Sequence, residues 1–513
     1  MRNFILTTIS LILCITARIT AGKTVTMQAG QNVQQAVDRE GATTTFLFKA
    51  GTYHSVKVNP HDGQQFIGED GTVWNGNGQS YAIGGAVGNV VIRNIEFTGY
   101  NAPAQHGVIN SFPGGDGRSH GAHHWTIEDC EIYHNGGCGI AIGNNFIVRN
   151  NHVHHQAQIG LCYGGTGSLV EGNEISYCNY NAQYEWGWEA GGSKFKYAND
   201  LVLRNNYVHD NHGPGLWADF CEYNNTYEGN VLENNFAPGI DHEISHTATI
   251  RCNIAHGNSW GDRSTEWLYG SQIFLSTSDQ VEVSHNVVRV TEGTTNGITM
   301  CLQNRGGGRY CRDNTVHHND ITHTVVGGHN GADADWDRYN FWTSGNNSFD
   351  NNAYHLVDPF AKYFRWGAPG SNNWSEWLTF EEFQGRGQEA DGTMDDNMDP
   401  DVPDWWAREC QDLFTYFASG YEGVIAKRGA SRPAAARSRL NARLTSCGAV
   451  AVFVPEQVHT VQVLDARGRK IAQTKVTQRA ALTVHPRDLS GSGVYLIRAY
   501  GPAGSFSTRL LVP

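Results

Sequence analysis

Two apolar runs 24 residues apart end in a carboxylate: "GLWAD" closes on Asp219 and "GIDHE" on Glu243. Counting from the Asn-containing phrase that follows each run, Asp219 precedes Asn230 by 11 residues, Glu243 precedes Asn253 by 10 and Lys194 precedes Asn205 by 11. If these runs are stacked strands ~4.8 Å apart, one outward column reads Lys194, Asp219, Glu243, with Trp217 over Asp241 beside it. Carboxylates at strand spacing repel each other, so a cation or a reaction is expected to use them. Glu189 lies just before this column, in the aromatic insertion "YEWGW".

Two chemistries fit. Glycoside hydrolysis needs one protonated and one ionised carboxyl, about 5 Å apart for retention and about 6.5–9.5 Å for inversion. Asp219 and Glu243 would be acid and base or nucleophile, with Glu189 assisting and Lys194 fixing charge. Trp217, Trp188, Trp186 and Tyr184 would stack on sugar faces, and Asp241 would line the cleft. β-Elimination from a uronic acid needs instead a base for the C5 proton and a positive charge against the sugar carboxylate. Calcium held by Glu189, Asp219 and Glu243 would suit it, since hard oxygens bind that ion, although neither reading requires a cofactor. Hydrolysis is the preferred reading. The competing class is a binding or adhesive rod on which the column is only an exposed ionic ladder, worth a fraction of a kcal/mol.

Glu185, Glu222, His242 and Lys196 are weaker candidates, and period two places His242 toward the core. "DADWDRYN" (333–340) alternates Asp333, Asp335 and Asp337 but lacks the Gly and distal Glu of a calcium loop, so it reads as a solvated loop. No metal site is expected among the Asn- and His-rich phrases such as "VHHQ" and "VHDNHG", which suit corners and solvent. Nucleophile-elbow, phosphate-loop, zincin and dinucleotide motifs are missing from the sequence.

The elements that must position these residues come from a repeat. "IRNIEF", "IEDCEI", "VRNNHV", "VEGNEI", "LRNNYV", "YEGNVL", "IRCNIA", "VSHNVV" and "CRDNTV" centre on residues 94, 129, 151, 173, 206, 230, 253, 286 and 314, with a minimum spacing of about 22. Each phrase alternates apolar and polar residues and is followed by a second short strand opened by Gly. Short strands with Asn and Gly at the corners make an all-β, right-handed parallel β-helix, in which Asn can ladder from coil to coil. "NVQQAVDRE" would cap its open end as an amphipathic helix. With "AGTY" and "GEDGTVWNG" in the first coils, residues 28–385 resemble the pectate lyase-like β-helix superfamily, which implies the fold more than any one activity. "EAGGSK", with Glu189 five residues before Lys194, resembles the Glu-to-Lys spacing of chondroitinase B and alginate lyase-type enzymes, which implies Lys as base. The second glutamate and the later arginine of that pattern have no counterpart; Trp217 and Asp219 stand about where the arginine would be.

The totals agree. At 513 residues with a formal charge of -13, the chain is not built for nucleic acid. Residues 1–22 read as a secretory signal, 23–390 as the β-helix, 391–446 as a linker and 447–513 as a small β-sandwich. "LDARGRKI", "LSGSGVYLIRA" and the terminal "RLLVP" resemble a type IX secretion sorting domain. That implies export, secretion machinery as partner and a secreted or surface-attached monomer acting on an extracellular polysaccharide. Ten Cys remain after the signal, so disulfides are expected, with Cys301–Cys311 and Cys410–Cys447 plausible by proximity.

Overall fold

The computed structural model describes residues 22–111, 121–221, 223–261, 268–400, 403–410 and 413, together with seven backbone strands between 441 and 512. The expected signal peptide, all but residue 22, lies outside these residues, as do Glu222 and most of the expected linker. The chain divides into two compact units. The first holds residues 1–202, 208–225 and 234–246; the second holds 203–207, 226–233 and 247–513.

Parallel β-helix coils build the first unit, three strands to a coil. Thr126–Glu128, Glu131–Tyr133 and Cys138–Ile142 form one coil and pair in parallel with Ile147–Arg149, His152–His154 and Ile159–Tyr163 of the next. Period two turns Ile127, Ile132, Ile140, Val148, Val153 and Leu161 inward, where they are fully buried. Only two residues separate the first and second strands, so the bend is tight. The first is left-handed, as at Asp129, Asn150 and Gly172, and the second turns its side chain into the stack. The helix Val33–Glu40 forms as the sequence predicts, capped by the Asn32 side chain on Gln35 N (3.0 Å), with Val33, Ala36 and Val37 buried.

The second unit repeats the design. Ala248–Arg251, Ile254–His256 and Ser271–Ser276 pair with Val281–Ser284, Val287–Val290 and Asn296–Leu302. Its Asn side chains form the expected ladder: 206 to 230, 230 to 253, 253 to 286, 286 to 319 and 319 to 352, each at 2.9–3.0 Å. Asn314 does not belong to it; it bonds Asn347 at another corner. In the first unit, Asn94 and Asp129 occupy the left-handed position just before the ladder residue.

Asn286 serves three neighbours, accepting from Asn253 N and donating to Ile250 O and Asn319 Oδ1, all at 2.9 Å. Asn286→Ala leaves buried backbone groups unpaired at 1–3 kcal/mol each, so a loss of about 3 kcal/mol is expected in a urea melt.

At its end, Asn352 Nδ2 donates to Glu389 Oε1 (2.7 Å), which also accepts from Tyr354 OH (2.7 Å). Burial pushes the Glu389 carboxyl up to about 7. An acid with a raised folded pKa holds its proton in the folded state after the unfolded chain has lost it. Its contribution is complete below the usual carboxylate range and is lost as pH rises toward 7. Glu389→Gln is therefore expected to flatten the fall in stability between about pH 5 and about pH 8, read by urea denaturation at each pH.

Three expectations need correction in this unit. The coil continues to Thr393–Asp395, which pairs with Ala353–His355, inside the stretch expected to be linker. Cys410 is bonded to Cys252, not Cys447, because Trp406 and Cys410 pack into a cluster with Tyr207, Val231, Cys252 and Ile254. Cys447 lies outside the described residues, and Cys301 and Cys311 are buried free thiols. "DADWDRYN" is not simply a solvated loop. Asp333 closes on Arg365 in a fully buried ion pair, and strand Asn330–Ala334 carries it into the sheet. Seven C-terminal strands, Asn441–Leu444 through Gly504–Val512, form two antiparallel sheets of three and four strands.

Candidate functional site

Every candidate site residue lies in the first unit, on or beside three parallel strands: Gly191–Lys196, Leu216–Asp219 and Ile240–Glu243. Ser193, Phe195, Leu216, Ala218, Ile240 and His242 point inward and are fully buried. His242 is the satisfied core histidine that period two predicts, with Nε2 3.1 Å from His246 O and its pKa pushed down to about 4 by burial.

On the outer face, Asp219 pairs in register with Glu243, and Trp217 with Asp241. Lys196, not Lys194, stands in register with Asp219. The expected column is thus displaced by one side-chain repeat: it reads Lys196, Asp219, Glu243, and Lys194 joins Trp217 and Asp241 beside it. The cause is the ladder residue. Asn206, not Asn205, bonds Asn230, and Lys196 precedes Asn206 by the same 10 residues that separate Glu243 from Asn253.

Nor is this an exposed ionic ladder. Lys194, Trp217, Asp219, Asp241, Glu243 and Glu189 are all buried, at 3–8 % exposure. Lys194 Nζ lies 3.0 Å from Asp219 Oδ2, 3.4 Å from the Trp217 ring centroid and 2.9 Å from Trp188 O. Removed from water, this ammonium is held by charge, by the ring quadrupole and by a carbonyl together. Trp217 Nε1 donates to Glu243 Oε2 (3.0 Å). Asp219 Oδ1 is buried without a hydrogen-bond partner among the described residues.

Lys196 is the more open lysine, with its side chain 17 % exposed against 5 % for Lys194. Its Nζ donates to Glu189 Oε1 (2.9 Å) and to Gln105 Oε1 (3.5 Å), and lies 5.5 Å from the Tyr163 ring centroid. Gln105 is fixed in turn, accepting from Tyr163 OH on its carbonyl (3.0 Å) and donating N–H to Gln158 Oε1 (2.7 Å). Gln105, Gln158 and Tyr163 are absent from the sequence-derived candidates; no local motif marks them, because they come from earlier coils.

The insertion before strand Gly191–Lys196 dresses the site. Asn179 ties its start to Tyr184 O and His212 O, both at 2.9 Å, and Gln158 Nε2 ties its end to Glu189 O (2.7 Å). Trp186–Glu189 make a helical turn capped by Glu185. Trp188 is 55 % exposed, Tyr184 is half-buried, and Trp186 packs on Phe236 at 5.8 Å between centroids. Trp188 thus keeps its ring open to solvent, while Trp217, expected to stack on sugar, is committed to Lys194 and Glu243.

Glu189, Asp219 and Glu243 do not fit calcium. An ammonium sits on one oxygen of Glu189 and one of Asp219, and an indole N–H sits on one of Glu243. Among the described residues these three do not make a group with ligand atoms within 4.8 Å of one another, as a hard cation would need. Among the described residues, the one group of three metal-type side chains with ligand atoms within 4.8 Å of one another is Glu131, His152 and His154, on another sheet.

Residues 116–288 match the family model described as "Right handed beta helix region", which gives the hand of the coil. No curated protein matches the chain. Similar solved structures include the A-module of a mannuronan C-5 epimerase from Azotobacter vinelandii, at 18% identity, covering 71% of this chain and 92% of that one, TM-score 0.43. A mannuronic acid specific polysaccharide family 6 lyase from human gut microbiota is similar at 11% identity, covering 76% and 94%, TM-score 0.45. So is XylC in complex with xylose, at 11% identity, covering 93% and 96%, TM-score 0.49.

Proposed function

We propose that the chain acts on an extracellular acidic polysaccharide and cleaves it by β-elimination at a uronate residue, with Lys196 as the group that meets the sugar. The observation that carries this reading is the Lys196–Glu189 contact. It is a partly exposed ammonium hydrogen-bonded at 2.9 Å to a buried carboxylate, in a face that also holds Lys194. Four carboxylates face these two lysines, so it is the more open position of Lys196, not the sum of charges, that favours a uronate over a neutral sugar and reverses the preference for hydrolysis.

In the proposed step, Glu189 accepts a proton from the Lys196 ammonium, and the freed amine takes the C5 proton of the uronate. The C5–H electron pair becomes the C4–C5 double bond. The C4–O bond breaks, and the departing oxygen takes a proton from water. Gln105 holds Lys196 in place, the Lys194–Asp219 pair fixes the strand beneath it, and Trp188 offers its face to a neighbouring sugar.

The chain is also read as exported, since a disulfide such as Cys252–Cys410 persists in oxidising compartments.

A digest of neutral and uronate-containing polysaccharides, followed together for reducing ends and for the ultraviolet absorbance of unsaturated uronates, tests the proposal. Both signals rising on a uronate polymer support it. Reducing ends without absorbance would return the assignment to hydrolysis by Asp219 and Glu243, whose register favours that second reading. Binding without any cleavage would make the chain a carbohydrate-binding β-helix.

A further inference from the structure

A second cluster of chemistry-bearing side chains lies on a different sheet of the first unit and takes no part in the site above. Strand Glu131–Tyr133 pairs with His152–His154 so that Glu131 stands beside His152 and Tyr133 beside His154. His152 and His154 are two apart on one strand and share its outward face, with ring centroids 4.0 Å apart. His154 Nε2 lies 3.1 Å from Glu131 Oε1, and His152 Nδ1 lies 3.8 Å from the same oxygen. Ligands bonded at about 2.0–2.1 Å to a tetrahedral ion stand about 3.3 Å from one another, so these separations bracket the edge of a zinc tetrahedron.

We propose that Glu131, His152 and His154 form a site for a borderline divalent transition-metal ion of the zinc class, bound through Glu131 Oε1, His152 Nδ1 and His154 Nε2.

Three features beyond proximity support it. The donor set is two imidazoles and one carboxylate, which suits a borderline ion better than calcium or magnesium. The outer nitrogen of His154 already has a partner, since His154 Nδ1 lies 2.8 Å from His155 Nδ1, while His152 Nε2 faces the Glu174 carboxylate at 3.7 Å, beyond hydrogen-bond length. When His154 Nδ1 donates to His155, its Nε2 presents a lone pair toward Glu131, the orientation a neighbouring group imposes on a metal-bound imidazole. The site is also open to solvent, with side chains 41 % exposed at Glu131 and His152 and 13 % at His154. Three protein ligands leave a fourth position for water. Because the ligands come from two adjacent coils, the ion would clamp one coil to the next.

The test titrates zinc chloride into the untagged, metal-free full chain by calorimetry, with X-ray absorption on the loaded protein. One equivalent is expected, with two imidazole nitrogens and two oxygens, one from Glu131 and one from water, at about 2.0–2.1 Å. His152→Ala, His154→Ala and Glu131→Gln should each weaken binding at least tenfold, while His317→Ala, in the exposed histidine group of the second unit, should leave it unchanged. Undiminished binding in the His152→Ala/His154→Ala protein would overturn the proposal, and so would no binding by the wild type. If that double variant does not fold, a wild-type absorption spectrum without imidazole scattering overturns it equally.

Discussion

Lys196→Ala is expected to lower kcat on a uronate polymer by about 100- to 10,000-fold, the range typical of removing a positioned proton-transfer group. The melting temperature should fall by less than for Lys194→Ala: the variant leaves the buried Glu189 carboxylate without its ammonium, but Lys196 is 17 % exposed and its pair is better screened by water. Lys196→Arg separates two roles. A guanidinium keeps the charge but does not give up its proton, so a dead Arg variant marks Lys196 as the base, whereas substantial rescue makes it an electrostatic partner. Lys194→Ala should behave differently. Its ammonium is buried against Asp219, Trp217 and Trp188 O, and its loss strands the Asp219 charge. Breaking a buried pair costs about 3–5 kcal/mol, so the melting temperature should fall before any effect on kcat can be assigned. Full activity in Lys196→Ala would remove Lys196 from the mechanism.

The second large effect is on folding. The Cys252–Cys410 bond joins residues 158 apart in sequence. In the chain-entropy picture, opening a loop of this length costs about 5 kcal/mol, because the unfolded chain regains the freedom the cross-link denied it. The bond also holds the short helix Trp406–Glu409 against the second unit, where Trp406 and Cys410 fill a cluster with Cys252 and Ile254. Cys252→Ser/Cys410→Ser should lower the guanidinium midpoint and release this segment to proteolysis ahead of the coils. The other described thiols are buried and free, so a reductant should reproduce the double variant and leave the variant itself unmoved. Coincident midpoints for wild type and variant would show that the cross-link adds nothing.

Much of this architecture is legible in the sequence because the repeat is written in residues with few alternatives. Buried Asn amides need a coil-to-coil partner, alternating apolar residues need one face inside, and Asn32 before an apolar turn announces a capping helix. The site is less legible because it depends on registration between coils. The choice of Asn206 over Asn205, together with a spacing of 10 rather than 11 residues, moves the lysine beside Asp219 from 194 to 196, and nothing local distinguishes a corner Asn with left-handed backbone from its neighbour in the ladder. Cys252 finds Cys410 through packing of Trp406, a contact no spacing rule reveals. Glu131 and His152 are one coil apart, and only the register brings them together.

The insertion that ends at Glu189 is tied down by Asn179 at one end and Gln158 at the other, both belonging to the coils. Its tip carries Trp188 and adds no strand to the stack. On the proposed function, the stacking surface of Trp188 is therefore encoded in a stretch of chain separable from the coils, while Lys196 stays on a strand. Such a scaffold can exchange one surface segment for another and meet a new sugar while every coil beneath it stays as it was, which makes the β-helix a conservative frame for rapid change in specificity.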